Sequence, residues 1–402
     1  MRHDPSHPAR YRPDPETALN MPFPVTYVLD RNAPSETFIR RETELLRQRG
    51  WPLNTRYLNG DFNTLKGPLT ACPPGRRWRF VKAAAQRTMP ELTSFDRESC
   101  GMIHRLPQCA GLVSKLVESD TRLIHAHFAG ITADVAAIAS AATGIPWSCS
   151  VHARDVFAVP PAKTFRRLRT AAGITACSQL AADTVVAADI PKHKVTVIRH
   201  GLPLHEYVYD MLRPEGVIFT ACRLELKKGV DTLLTACSLL AQREISFRCV
   251  IAGSGSRQDF LKSLAKRLGI ENSVLFIGWL SPEEIRSRIL NASVLALPSR
   301  RMPDGDRDGI ANVLVEAMAL GTPVITTAAG AAGEIITDNV NGLMVPPDSP
   351  TALADALAQT LSVSPRMSVM TKAARRAAEE FFDADTNIQY LEKFFERAAR
   401  QG

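Results

Sequence analysis

The chain has 402 residues, of which 45% are hydrophobic and 22% charged, with a net charge of +8. That length exceeds one ordinary hydrophobic core and suits two or three domains, and the balance excludes collagen-like and disordered classes. No apolar run reaches the roughly 18 residues a transmembrane helix needs, and the eight cysteines (72, 100, 109, 149, 177, 222, 237, 249) form no C-x-x-C pair. Several sit inside apolar runs such as SCSV and FRCVIA, the pattern of reduced thiols in a cytosolic protein and not of a disulfide framework or zinc site.

In chain order, residues 1–22 are proline-rich with no apolar stretch and read as a mobile leader. From residue 23, short apolar runs alternate with helical segments, the mark of α/β folds with parallel sheets. The front half offers VTYVL (25–29), a helix from Glu36 to Arg49, LIHAHF (123–128), an Ala-rich helix over 130–143, SCSVH (148–152), ITAC and VTVIRHG (195–201). No strand can be placed between 60 and 100. HEYVYDMLRPEG (205–216) reads as a linker. The alternation then restarts with VIFTAC (217–222) and the helix GVDTLLTACSLLAQR, whose Val230, Leu233, Leu234, Cys237, Leu240 and Ala241 recur at helical steps. FRCVIAG, VLFIG, VLALP, PVITT and GLMVP are the later strands. The predicted architecture is two Rossmann-like doubly wound domains, 23–205 and 206–375, facing a cleft. Helices over 376–402 follow, the last packing back on the first domain. Ligands in such folds sit at the carboxyl ends of the strands.

Charge is uneven. Residues 1–205 hold 27 Lys+Arg against 17 Asp+Glu, and residues 206–402 hold 22 against 24. RRWRFVKAAAQR (76–87) and KTFRRLR (163–169) concentrate the cations, which read either as solvated helix faces or as contact with an anionic partner such as a membrane surface or acidic lipid carrier. Nucleic acid is not expected, since no binding module is visible.

GSGSRQ (253–258) lacks the third glycine of a dinucleotide fingerprint and follows the second strand of its domain, and no G-x-x-x-x-G-K-S/T occurs. The informative stretch is DRDGIANVLVEAMALGTPVITT (306–327). Ile310, Val313, Leu314, Ala317 and Met318 define a buried helix face, and Gly321 and Pro323 end the helix. Asp308 is expected at or beside the N-cap, so the amides of Gly309, Ile310, Ala311, Asn312 and Val313 would face an anion, best a phosphate. On a continuous helix Asp308 and Glu316 would be about 12 Å apart along the axis and able to edge one ligand. Carboxylates accept from vicinal hydroxyls. A nucleoside-diphosphate sugar, hydroxyl-rich at both ends with a diphosphate between, has that form. In RLELKKG, Arg223 and Lys228 supply cations for the diphosphate.

RLELKKGVDTLLTA followed by DGIANVLVEAMALGTPV resembles retaining glycosyltransferase family 4, which has the GT-B fold. Asp308 and Glu316 meet its E-x7-E pattern, and Arg223 and Lys228 its R…K-G pair. SETFI, HAHFA (125–129), SVHARDVF (150–157) and DGDRDG (304–309) resemble the branch that builds exopolysaccharides such as colanic acid. The resemblance implies that Glu316 holds ribose hydroxyls, Arg223 with Lys228 the diphosphate, Asp308 the transferred sugar, and Gly309 to Val313 the distal phosphate. It places His152 across the cleft toward the reaction centre, the backbone of Gly278 and Trp279 near the base, and Ser35, Glu36, His127 and Asp155 on the front wall or acceptor side. Two departures stand out. Asp308 is one methylene shorter than the usual Glu, and Ala311 replaces a proline that would preset φ.

The implied activity is transfer of a sugar from a nucleoside-diphosphate donor to a hydroxyl of a glycan or polyprenyl-linked acceptor, with retention, in the cytoplasm and without a metal cofactor, because fixed cations and a helix dipole serve the leaving diphosphate. The carboxylates are too far apart for a glycosidase pair, which needs roughly 6.5–9.5 Å even when inverting. Two alternatives use the same scaffold: a sugar-nucleotide epimerase, which needs no acceptor, and a nucleotide-sugar-binding subunit without turnover.

Overall fold

The short apolar runs become the rungs of two parallel sheets. The computed structural model describes residues 22–30, 37–58, 79, 81–82, 106–158, 161–210, 213–361 and 365–401; Ser35, Glu36 and most of the 60–100 interval lie outside them. The front half runs β1 (Val25–Leu29), α1 (Thr37–Gln48), β2 (Leu53–Tyr57), α2 (Leu106–Val117), β3 (Leu123–His127), α3 (Ile131–Thr143), β4 (Trp147–Val151), α4 (Pro161–Leu168), β5 (Gly173–Ala176), α5 (Gln179–Val186) and β6 (Val195–Val197). Its strand order is β2-β1-β3-β4-β5-β6, all parallel. β1, β3 and β4 are buried at every position, which is why they read as continuous apolar runs and not as alternation. VTVIRHG ends as a strand at Val197, and the chain beyond it leaves the ladder to carry His200 to the sheet's carboxyl edge.

The back half runs β7 (Val217–Ala221), α6 (Val230–Gln242), β8 (Arg248–Ala252), α7 (Gln258–Arg267), β9 (Val274–Gly278), α8 (Pro282–Leu290), β10 (Val294–Leu297), α9 (Asn312–Leu320), β11 (Val324–Thr327), β12 (Leu343–Val345), α10 (Pro350–Thr360), α11 (Pro365–Phe382) and α12 (Ala384–Arg400). The order β12-β11-β10-β7-β8-β9 reverses direction between β7 and β10. The front sheet reverses between β1 and β3. A crevice opens at the carboxyl edge of each such switch point, because neighbouring loops diverge to opposite faces there.

α12 crosses from the back half to the front sheet. Its apolar face, Ile388, Leu391, Phe394, Phe395 and Ala398, packs with Tyr27, Trp51 and Leu123. The crossing is pinned by backbone bonds from Leu202 N–H to Phe382 O (2.6 Å) and from Ala384 N–H to Leu202 O (3.0 Å). Asp383 caps the helix by accepting from Thr386 N–H.

One sequence expectation changes here. Arg167 of KTFRRLR is buried in an ion pair with Asp134 at 2.9 Å, so it belongs to the core and not to a basic surface. Among the described residues no helix is long and apolar enough to cross a membrane.

Candidate active site at the interdomain cleft

The back-half floor is built by two turns pressed together. After β7 the chain passes Arg223 and enters a 3-10 turn, Leu226–Lys228, closed by Gly229. Gly229 has φ +66°, and a Cβ there would lie 1.9 Å from Pro298 O, so only glycine lets this turn sit against the end of β10. That contact carries Lys228 Nζ to 2.7 Å from Asp308 Oδ2, which also accepts from Ser299 Oγ at 2.7 Å. Lys227 holds Asp306 at 3.0 Å. Burial opposes the charge on Asp308, but Lys228, the Ser299 hydroxyl and Lys227 together keep its carboxyl below the ordinary range.

This geometry corrects the sequence reading of α9. The helix begins at Asn312 with Ala311 as N-cap, so Asp308 lies ahead of it and the 12 Å helical spacing to Glu316 does not apply. Gly309 and Ile310 form a bend instead of a first turn. The physical reason is tertiary: a Cβ on Gly309 would sit 3.4 Å from Ala153 Cβ and 3.9 Å from Cys177 Sγ, so the bend is pressed against the front half. The orphan amides therefore belong to Asn312 and Val313, without a side-chain cap.

Those two residues open into a cavity of about 270 Å³. Ala221 at the end of β7 lines it with Cys222 and Arg223 just beyond, Gly253 and Ser254 line it from the turn after β8, and Trp279, Leu280, Pro282 and Ile285 from α8 and its approach. Glu316 lines it from the second turn of α9, and Thr37 and Arg41 close it from α1 of the front half. Burial raises the Glu316 carboxyl, opposed by the charges of Arg41 and Arg286. Gly278 has φ +74° and open space about it, and Trp279 is 61% exposed at the rim. A second cavity of about 470 Å³ shares Thr37, Arg41, Trp279 and Pro282 and adds Arg40, His205 and Arg286. The glycines of GSGS serve packing: a Cβ on Gly253 or Gly255 would strike Cys222 O at 1.9 Å or Leu224 O at 2.5 Å.

The front-half wall is a row of side chains at neighbouring strand tips. His127 ends β3, His152 follows β4, Cys177 follows β5 and His200 lies just past β6. Burial, aided by His200 and His127, holds the His152 imidazole well below its ordinary value. Burial likewise takes His200 to about 4. His125, deeper in β3, bonds Ser148 and Ser150 and is structural. Asp155 is spent on backbone, accepting from His152 N–H at 2.9 Å; burial pushes its carboxyl up to about 6 against those hydrogen bonds. His152, His127 and Asp155 line neither of the two cavities described. His152, Cys177 and His200 offer ligand atoms within 4.8 Å of one another, as do Glu42, His125 and His127, but in the second group both His125 nitrogens are already bonded to Ser148 and Ser150.

Two functional candidates escaped the sequence reading. Arg41 reaches the cavity from α1 and donates to Gly201 O at 2.9 Å. Glu42 bonds His127 at 3.0 Å. The available signal was an acid on the same face of α1 as buried Ile39, Thr43 and Leu46.

Two parallel doubly wound sheets, with a site assembled between their carboxyl edges, define the GT-B fold. Solved structures of that fold superpose over nearly the whole chain. A glycosyltransferase from Rickettsia africae matches with a TM-score of 0.71 at 15% identity, covering 95% of this chain and 100% of the other. HepE of Anabaena in complex with UDP-glucose matches with a TM-score of 0.68 at 19% identity, covering 92% and 98%. Residues 213–377 match the family model described as glycosyl transferases group 1, and residues 73–206 the model described as Glycosyltransferase Family 4. The chain belongs to these glycosyltransferases. Among curated relatives it is 26% identical over 336 residues to the putative colanic acid biosynthesis glycosyltransferase WcaL of Salmonella typhimurium, covering 79% of this chain and 82% of the relative. It is 30% identical over 225 residues to the amylovoran biosynthesis glycosyltransferase AmsK of Erwinia amylovora, covering 55% of each.

Proposed function

We propose that this glycosyltransferase moves a hexosyl group from a nucleoside-diphosphate sugar to a hydroxyl of a glycan or lipid-linked acceptor, with retention of anomeric configuration, in cell-surface polysaccharide assembly. The observation that carries the reading is the cavity on which Glu316, Arg223 and the uncapped start of α9 converge. Glu316 accepts from ribose hydroxyls, the Asn312 and Val313 amides with Arg223 meet the diphosphate, and Trp279 offers a face to the base. Lys228, held by Asp308, stands ready to share its charge with the distal phosphate, and Asp308 meets the sugar only as that pair rearranges. These fixed charges act where negative charge develops on the leaving group, so transfer proceeds without a bound metal. The UDP-glucose held by the HepE neighbour supports a nucleotide hexose as donor, and the WcaL and AmsK relatives support an exopolysaccharide setting. A cytoplasmic enzyme meeting a polyprenyl-linked acceptor at the membrane face fits the basic front half.

The test is a panel of UDP-, GDP- and ADP-sugars read by thermal shift and donor hydrolysis, with NMR of the product's anomeric proton. One donor should raise the melting temperature, and Glu316→Gln and Arg223→Ala should each weaken that response about tenfold or more. Turnover should persist in excess chelator. Interconversion of sugars with donor alone would indicate an epimerase, and binding with no turnover in any acceptor mixture a silent subunit.

A further inference from the structure

Three neighbouring parallel strands deliver one metal-ligating side chain each to a single point. β4 and β5 pair in register at Val151 and Ala176, and β5 and β6 at Ala176 and Val197. Adjacent strands lie about 4.8 Å apart, so His152 and Cys177, each one residue past those paired positions, emerge side by side. The chain beyond β6 brings His200 back to them. One ligand atom from each of the three lies within 4.8 Å of the other two. Ligands bonded at about 2.0–2.3 Å stand about 3.5 Å apart around a tetrahedral ion, so small side-chain rotations close the set.

The surroundings are those of a ligand set. The two ring nitrogens of His152 are unequal: Nε2 is 3.4 Å from His127 Nδ1, whereas Nδ1 is buried without a hydrogen-bond partner among the described residues. Nδ1 is therefore the nitrogen with a lone pair to give. On the other side His127 Nε2 lies 3.0 Å from Glu42, a carboxylate–imidazole backing of the kind that orients metal-bound histidines. Phe38 stacks on His200 at 4.0 Å, and Phe128 lies 4.4 Å from the His152 ring, so both imidazoles are held in place. Burial pushes the Cys177 thiol up to about 12, against hydrogen bonds from the backbone of Cys177 and Ala153 and aided by the Asp155 and Glu334 charges. Those two carboxylates favour a cation beside the sulfur, and the amides favour a metal-bound thiolate.

We infer that His152, Cys177 and His200 bind one divalent ion of the zinc class, with water as fourth ligand, and that this ion inhibits sugar transfer. Two imidazoles and a thiolate select zinc or cobalt over magnesium and calcium, which take oxygen ligands. On binding, the Cys177 S–H bond breaks, its electron pair goes to the metal and its proton to solvent, with no change of oxidation state. The inhibition rests on the transfer reading above, with His152 directed toward the reaction centre; a His152 held by the ion is withdrawn from that role. The ion also lies beside the bend at Gly309, where an added Cβ would sit 3.9 Å from Cys177 Sγ. Binding itself does not depend on that reading.

The test uses the full-length reduced protein, freed of metal by chelator. One equivalent of Co²⁺ should give a thiolate-to-cobalt charge-transfer band, which Zn²⁺ removes and Mg²⁺ does not. Cys177→Ala should abolish the band and leave metal-free turnover within about threefold of wild type. Stoichiometric Zn²⁺ should lower wild-type kcat about tenfold or more, chelator should restore it, and Cys177→Ala should escape. Should Cys177→Ala not fold, the ¹⁵N signals of the His152 and His200 rings in the wild-type protein must both move on adding Zn²⁺. Absence of the band, its retention in Cys177→Ala, or unmoved ring signals overturns the site. A band accompanied by unchanged or raised turnover in Zn²⁺ overturns the inhibition alone. Metal-free protein that turns over no donor overturns the transfer reading, while the band still decides the site.

Discussion

The histidines at the front-half strand tips carry an energetic signature that a pH titration will read. Burial takes His125 to about 3 and His200 to about 4, and holds His152 well below its ordinary value. All three titrate near 6.5 when unfolded, so below that pH the unfolded chain binds more protons. Their stabilisation is complete above about pH 6.5 and is lost as pH falls toward the folded values. Asp155, raised to about 6, and Glu316, also raised, work the other way over part of this window. Three imidazoles against two carboxyls leave a net loss of stability between pH 6.5 and 5. Urea midpoints at pH 7.5 and 5 should show it, and equal midpoints would contradict the assigned burial. Glu42 adds a later window, because its depressed carboxyl loses stabilisation only between about 4.5 and about 2. The Lys228–Asp308 pair is a second residue-scale matter, since both side chains are only 12% exposed. Lys228→Ala strands a buried carboxylate and should cost about 3–5 kcal/mol by chemical denaturation. Arg223 is 58% exposed, so Arg223→Ala should leave stability within about 0.5 kcal/mol and report donor binding cleanly.

At the scale of elements, the turn after β7 and the start of α9 decide whether the site exists. Gly229→Ala would drive its Cβ into Pro298 O, opening the turn that delivers Lys228. A loss of at least about 2 kcal/mol together with the donor response is expected, and a fully stable, donor-binding variant would show that the turn relaxes freely. α8 gives a milder comparison. Ser281 and Glu284 form a reciprocal capping box there, and Ser281→Ala should cost about 1 kcal/mol without changing donor affinity. The α8 start was legible, because Ser-Pro-Glu-Glu is a capping signal in local sequence. The α9 start was not. Asp-Gly reads locally as a helix entry, but the chain bends through Gly309 and Ile310 against Ala153 and Cys177 of the other half before Ala311 caps the helix.

For the whole molecule, closure of the halves has a specific tie. Glu334, from a 3-10 turn after β11, accepts from the Gln179 and Leu180 amides at 2.8 Å each and from Arg199 at 3.1 Å. A back-half carboxylate thus caps the positive end of α5 in the front half. Glu334→Ala should leave each sheet intact but widen the cleft, visible as a larger radius of gyration in solution scattering and a reduced kcat. An unchanged radius of gyration and rate would show that α12 and the 308–312 bend hold the halves unaided.

What the sequence determined by itself was periodic or local: the strands, the amphipathic helices, the glycines of tight turns and the types of side chain a nucleotide sugar requires. These follow from backbone geometry and from burial on one face, which repeat every two or 3.6 residues and leave a trace in a single segment. What only the tertiary structure decided was which charges meet. Lys228 and Asp308 pair across 80 positions, and His127 and Glu42 across 85. Such partners are chosen by the order of strands in each sheet and the docking of one half on the other, and no local pattern records a contact made across that distance.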